Sequence, residues 1–120
     1  MNEMPNQKPY DLGERTKLFA KEVIAYQNTL SKTLANVEIR KQLVRSAGSV
    51  GANYIEANES FSKKDFALRI KICRKEAKES RYWLELLEVS GDETEKMRQT
   101  LIQEANELLR IFNAIIEKKK

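Results

Sequence analysis

The chain predicts an all-α fold, an antiparallel up-and-down four-helix bundle. Three observations carry that expectation. Apolar residues recur at helical spacing in four long segments, which is the pattern of an amphipathic helix. The only prolines, Pro5 and Pro9, precede the first of those segments, so no helix interior contains the strongest breaker. The segments are separated by short polar or glycine-bearing stretches, and short links favour antiparallel neighbours. At 120 residues the chain is one domain, read as a loose arm over 1–9 and a bundle over 10–120.

The first helix is expected from about Asp11 to Thr33, because Leu12, Phe19, Val23, Tyr26 and Leu30 keep helical register. Asn36 reads as the cap of the second helix, which runs to about Asn58. Glu59, Ser60 and Phe61 form a turn. Ser62 and Asp65 resemble a capping box opening the third helix. That helix is expected to reach Val89, with Ser90-Gly91 as its stop. Asp92 and Glu95 open the fourth, which runs to about Lys118, where cations suit the negative end of the helix dipole.

At about 100° per residue, the third helix divides into three faces. Phe66, Ile70, Cys73, Ala77, Leu84 and Leu87 form the core stripe. Leu68, Ile72, Trp83 and Leu86 form a second apolar stripe, which calls for a second burial partner and is read as an oligomer interface. Lys64, Lys71, Arg74, Lys75, Lys78 and Arg81 fill an arc of roughly 120°. The second helix carries two interior glycines, Gly48 and Gly51, each costing about 1 kcal/mol against alanine. Only Arg45 and Glu56 are charged between Gln42 and Asn58, so this helix is expected at the centre of an assembly. Arg45 is matched with Glu76 and Glu79 in a buried polar network that Asn53 and Glu56 extend. The broad apolar surface of the fourth helix also argues for burial beyond one bundle.

The net charge is +4, and it is unevenly spread. Lys63–Arg81 holds eight cations against three acids, whereas Glu85–Glu107 holds seven acids against two cations. The basic arc is therefore the candidate nucleic-acid contact surface, since cations lined along one face neutralise phosphates. The plainer reading of the same arc is an ordinary solvated helix face.

Catalytic and metal chemistry find little support. There is no histidine, which removes the commonest general base and metal ligand. The single cysteine falls on the core stripe and reads as an inert buried thiol. Gly48-Ser49-Val50-Gly51 lacks the Lys-Ser/Thr of a phosphate loop. Glu76 and Glu79 as a catalytic carboxylate pair are the weaker alternative to structural ion pairing. No cofactor, metal or small-molecule substrate is expected. No apolar run approaches the about 18 residues of a membrane span, the N-terminus lacks a signal-peptide core, and one cysteine suits a reducing compartment; a cytoplasmic protein is expected.

Gln42–Asn58, QLVRSAGSVGANYIEAN, carries a Gln-Leu-x-Arg-Ser segment leading to Ser-x-x-x-Asn-x-x-Glu, at Gln42, Leu43, Arg45, Ser46, Ser49, Asn53 and Glu56. It closely resembles the signature of the four-helix bundle family associated with intervening sequences of bacterial large-subunit ribosomal RNA. Tyr10–Thr16, Ser62–Phe66 and Lys75–Leu87 extend the resemblance to about residues 10–116. Glu56-Ala57 stands where the family often has Glu-Gly, a common variant. The resemblance implies a homo-oligomer, typically a pentameric ring, of poorly defined role. Related bundle proteins that accompany reverse transcriptases look like basic pentamers that bind nucleic acid. The expected function is a non-enzymatic oligomeric bundle that binds RNA or DNA through the basic arc of the third helix. The alternative is a protein–protein adaptor or structural ring without nucleic-acid affinity.

Overall fold

The computed structural model describes residues 11–118; the arm expected over 1–9, Tyr10, Lys119 and Lys120 lie outside them. Four helices follow: α1 (Leu12–Gln27), α2 (Leu34–Asn58), α3 (Lys63–Leu86) and α4 (Asp92–Lys118). Each packs on the next in sequence, and α1 meets α4, while the diagonal pairs stay out of backbone contact. The described residues span 44 × 36 × 20 Å. None of their helices is long and apolar enough to cross a membrane.

The core is the set of inward stripes. Leu12, Phe19, Val23 and Tyr26 of α1 are buried, as are Leu43, Val50 and Ala57 of α2. Ile70, Cys73, Ala77 and Leu84 of α3 meet Leu101, Ala105, Leu108 and Phe112 of α4 in the same cluster. Phe66 packs against it from its edge. Between α2 and α3 the close approach runs through small polar residues. The buried Ser80 hydroxyl lies 3.0 Å from Ser46 Oγ and donates to the Glu76 carbonyl at 2.9 Å.

Helix ends differ from the expectation, for physical reasons. Asp11 caps α1 by accepting from the Glu14 N–H. The helix stops at Gln27, because the chain then turns, with Thr29 N–H donating to Tyr26 O at 2.9 Å. Leu30 is still buried, so the apolar period outlasts the helix. Thr33, not Asn36, caps α2, its hydroxyl accepting from the Asn36 N–H at 3.1 Å. Asn36 instead is buried and ties two loops together. Its Nδ2 donates to Ser31 O at 3.0 Å and Glu88 O at 2.8 Å, and its Oδ1 accepts from Glu88 N–H at 2.9 Å.

Ser62 caps α3 as read, accepting from Asp65 N–H at 3.0 Å. The helix ends at Leu86, before the expected Val89. Gly91 does not stop it. At φ +94 this glycine lies in the left-handed region, and its carbonyl accepts from Glu95 N–H at the start of α4. The free carbonyls ending α3 are met by Arg98 of α4, whose Nη1 donates to Leu84 O at 3.3 Å and Leu87 O at 2.8 Å. Glu95 holds that guanidinium through two contacts, the shorter 2.6 Å, and Arg98 in turn holds the Glu95 carboxyl below its usual range.

The two α2 glycines separate. A Cβ at Gly51 would stand 3.0 Å from Thr16 Oγ1, an atom pinned by its bond to Leu12 O. Gly51 thus permits the approach of α1 to α2. A Cβ at Gly48 would meet nothing within 4 Å. Gly48→Ala is expected to stabilise the chain by about 1 kcal/mol, and Gly51→Ala to destabilise it by roughly 1–3 kcal/mol through overpacking. Urea unfolding of the two variants checks the opposite signs.

The α2 and α4 surfaces expected to lie buried beyond one bundle are disposed differently. Ile102, Leu109, Ile111 and Ile115 of α4 pack partly buried against this chain's own core, which accounts for the breadth of its apolar face. On α2, Gly48, Ala52, Ile55 and Glu56 remain exposed.

Candidate nucleic-acid interface

The core stripe of α3 faces inward, so its cationic arc is turned outward and toward α4. There Lys71, Arg74, Lys75, Lys78 and Arg81 line a groove of about 620 Å³ between the two helices. Across it stand Asn106, Leu109, Arg110 and Asn113 of α4. Lys64 is exposed on the first turn of α3 and is not part of this lining.

Two of the arginines are held in place. Arg74 Nη1 donates to Asn113 Oδ1 at 2.9 Å, and Arg81 Nη1 to Asn106 Oδ1 at 2.7 Å. Seven residues of helix separate them, about 10 Å along the axis. Each guanidinium keeps other N–H donors, since five are available and the fork matches phosphate oxygens. Lys71 and Lys78 are exposed, and Lys75 stands 3.9 Å from Glu79. No carboxylate lines the groove, although Arg110 bonds Glu107 at 2.8 Å beside it. The lining includes no aromatic ring, so it offers charge for a phosphate backbone without a platform for stacked bases.

Arg110, Asn106 and Asn113 were not read from the sequence. The signal that finds them is their spacing of four and three on α4, which places them on one face.

The polar network around Arg45 is smaller than expected. Arg45 Nη2 donates to Glu79 Oε1 at 3.0 Å, and Nη1 reaches Glu76 Oε1 at 3.5 Å. Glu76 is buried, yet the Arg45 side chain is 48% exposed, so the network lies at the surface of the α2–α3 packing. Asn53 belongs elsewhere. Its Nδ2 donates to Ser49 O, and its Oδ1 accepts from Arg69 Nη1 at 3.1 Å. Glu56 is exposed and makes no contact with Arg45. Arg45→Glu is expected to cost about 2 kcal/mol in thermal unfolding, less than the roughly 3–5 kcal/mol of a fully buried pair, because water already screens this guanidinium.

Of the second stripe on α3, Leu68 and Leu86 are exposed, and Ile72 is half-buried. Trp83 packs partly against the core. Its indole N–H is buried without an acceptor among the described residues, and its ring meets Tyr82 edge-on at 5.0 Å.

Cys73 is fully buried, and burial pushes its thiol up to about 12. Because the thiolate is the nucleophile, thiol reagents are expected to label Cys73 only after unfolding, at neutral pH. The described residues hold no cluster of three or more metal-ligating side chains.

Comparison with known proteins bears on this arrangement. The family model described as 23S rRNA-intervening sequence protein matches residues 9–114. A crystal structure of a protein with unknown function from the S23 ribosomal protein family, from Bacteroides thetaiotaomicron, superposes with a TM-score of 0.76 at 30% identity. The match covers 87% of this chain and 96% of that one. No curated protein matches.

Proposed function

We propose, from the premise that the chain belongs to the 23S rRNA-intervening sequence protein family, that it is a non-enzymatic nucleic-acid-binding bundle acting as a homo-oligomer in the cytoplasm. The observation that carries this reading is the α3–α4 groove. Five cations of α3 and Arg110 of α4 line it without a carboxylate, and two of its arginines are pre-oriented by asparagines. Ordered guanidiniums lose little freedom on meeting a phosphate. Binding is expected to be general to RNA and DNA and to weaken steeply with salt, because each phosphate contact releases counterions.

The oligomer is read as a pentameric ring of antiparallel bundles. Antiparallel pairing is supported by contacts that run in opposite senses along each pair: Arg15–Glu104 and Tyr26–Thr94 for α1 and α4, Asn53–Arg69 and Arg45–Glu76 for α2 and α3. A ring is supported by the exposed Leu68 and Leu86 of the second α3 stripe. In a ring the groove repeats, and repeated weak contacts add avidity.

Titration of the wild-type chain against mixed-sequence RNA and DNA at low salt tests the binding. Undetectable association with both removes it. Exposed apolar residues such as Phe61 and Tyr82 favour a second reading, a protein–protein adaptor ring, under which reversing the groove cations changes nothing.

A further inference from the structure

A closed ring requires two different faces on each protomer, because only a two-fold contact pairs a face with itself. The α3 stripe of Leu68, Ile72, Trp83 and Leu86 provides one of them. We propose that the face receiving it is the α1–α4 seam of a second copy of this chain, an assignment that rests on the self-association proposed above.

The seam has the two properties such a face needs. It exposes large apolar side chains, Leu18 at 53% and Met97 at 44%. Met97 borders a groove of about 310 Å³ that Ala25 and Tyr26 line together with the carboxylates Glu22 and Glu93. Leu18 borders the next stretch of the same seam, with Glu104 and Glu107. The single cation lining either stretch, Arg15, is bonded to Glu104 at 2.7 Å.

Charge then selects this face over the others. The α3 stripe has cations about it: Lys64 and Lys71 lie one turn from Leu68, and Arg69 and Lys75 one turn from Ile72, with Asp65 the one exposed acid among them; Arg45 and Lys75 both reach Glu79. Glu76 and Glu79, the acids on this stripe, are engaged by Arg45. The groove between α1 and α2 at Gly48 and Ile55 carries Lys17 and no carboxylate. The groove at Val37 and Val44 carries Lys32, Arg40, Lys41 and Arg45. Both would set cation against cation, which disfavours a pairing. The α1–α4 seam sets carboxylates against it. An apolar centre with complementary charge at the rim is the ordinary anatomy of a specific interface.

Two double variants test the pairing, each at exposed positions, with helicity checked by circular dichroism. Leu18→Glu with Met97→Glu spoils the seam. Leu68→Glu with Leu86→Glu spoils the stripe. Light scattering is expected to give a wild-type mass that is a multiple of 13.9 kDa and a single-chain mass for each variant alone. An equimolar mixture is expected to give one-to-one dimers and nothing larger, since each dimer keeps one intact contact and two spoiled faces. A seam variant that retains the wild-type mass overturns the assignment. So do two monomeric variants that fail to pair on mixing. A wild-type chain that is itself monomeric overturns the self-association beneath it.

Discussion

Replacing Lys71, Lys75 and Lys78 together by glutamine is expected to weaken binding to mixed-sequence RNA or DNA at low salt by about a hundredfold or more. It should also flatten the dependence of log affinity on log salt. Each lost phosphate contact removes about 0.9 from that slope on duplex DNA, so three remove close to 3. The lysines suit this test better than the arginines. Arg74 and Arg81 hold Asn113 and Asn106, and removing them disturbs the α3–α4 packing as well as the charge. The three lysines are exposed, so thermal unfolding should scarcely move. Fluorescence anisotropy at several salt concentrations reads both quantities. Unchanged affinity and slope would sink the groove as a phosphate-binding surface and leave the adaptor reading.

Asn36→Ala is expected to destabilise the fold by roughly 3 kcal/mol, since unsatisfied buried polar groups cost about 1–3 kcal/mol each. Asn36 is fully buried and serves three backbone groups, Ser31 O, Glu88 O and Glu88 N–H. Alanine abandons all three and leaves a small cavity. For a domain of this size the loss corresponds to a fall in Tm of roughly 10 °C. Asn36→Asp keeps the acceptor for Glu88 N–H but loses both donors and buries a charge, so it should do no better. Thr33→Ala supplies the contrast. It removes the cap of α2 and is expected to cost about 1 kcal/mol. Equal midpoints for the Asn36 and Thr33 variants would mean that the loop tie carries no more than an ordinary cap.

The periodicity of the chain was enough for four helices and for their inward stripes, because burial in a bundle repeats every three or four residues and leaves a regular trace. Phe19, Val23, Ile70, Cys73, Ala77 and Leu84 needed nothing more. Helix ends were less legible where the trace outruns the helix. Leu30 and Leu87 are buried beyond the helix ends and extend the pattern past Gln27 and Leu86. Thr33 and Asn36 are both good caps locally; only the distant Glu88, brought near by the fold, decides that Asn36 is used otherwise. The cations of α3 were legible as an arc on one helix. Their groove was not, because its other wall comes from α4. Arg45 was matched with Glu76 and Glu79 by charge alone, and charge cannot say how wet the pair is. Asn53 went to Arg69, a residue on no stripe that had been singled out.

Arg98 closes α3 from eleven residues beyond Leu87, so where the third helix ends depends on the fourth. The punctuation that ends α3 is written inside α4. A fragment stopping at residue 91 would keep every residue of α3 and still lack its terminator. Grafting α3 alone onto another scaffold would carry the cations without the device that fixes where their helix ends. A junction between Leu87 and Arg98 should therefore leave α3 without its terminator unless the incoming segment supplies an arginine at that place.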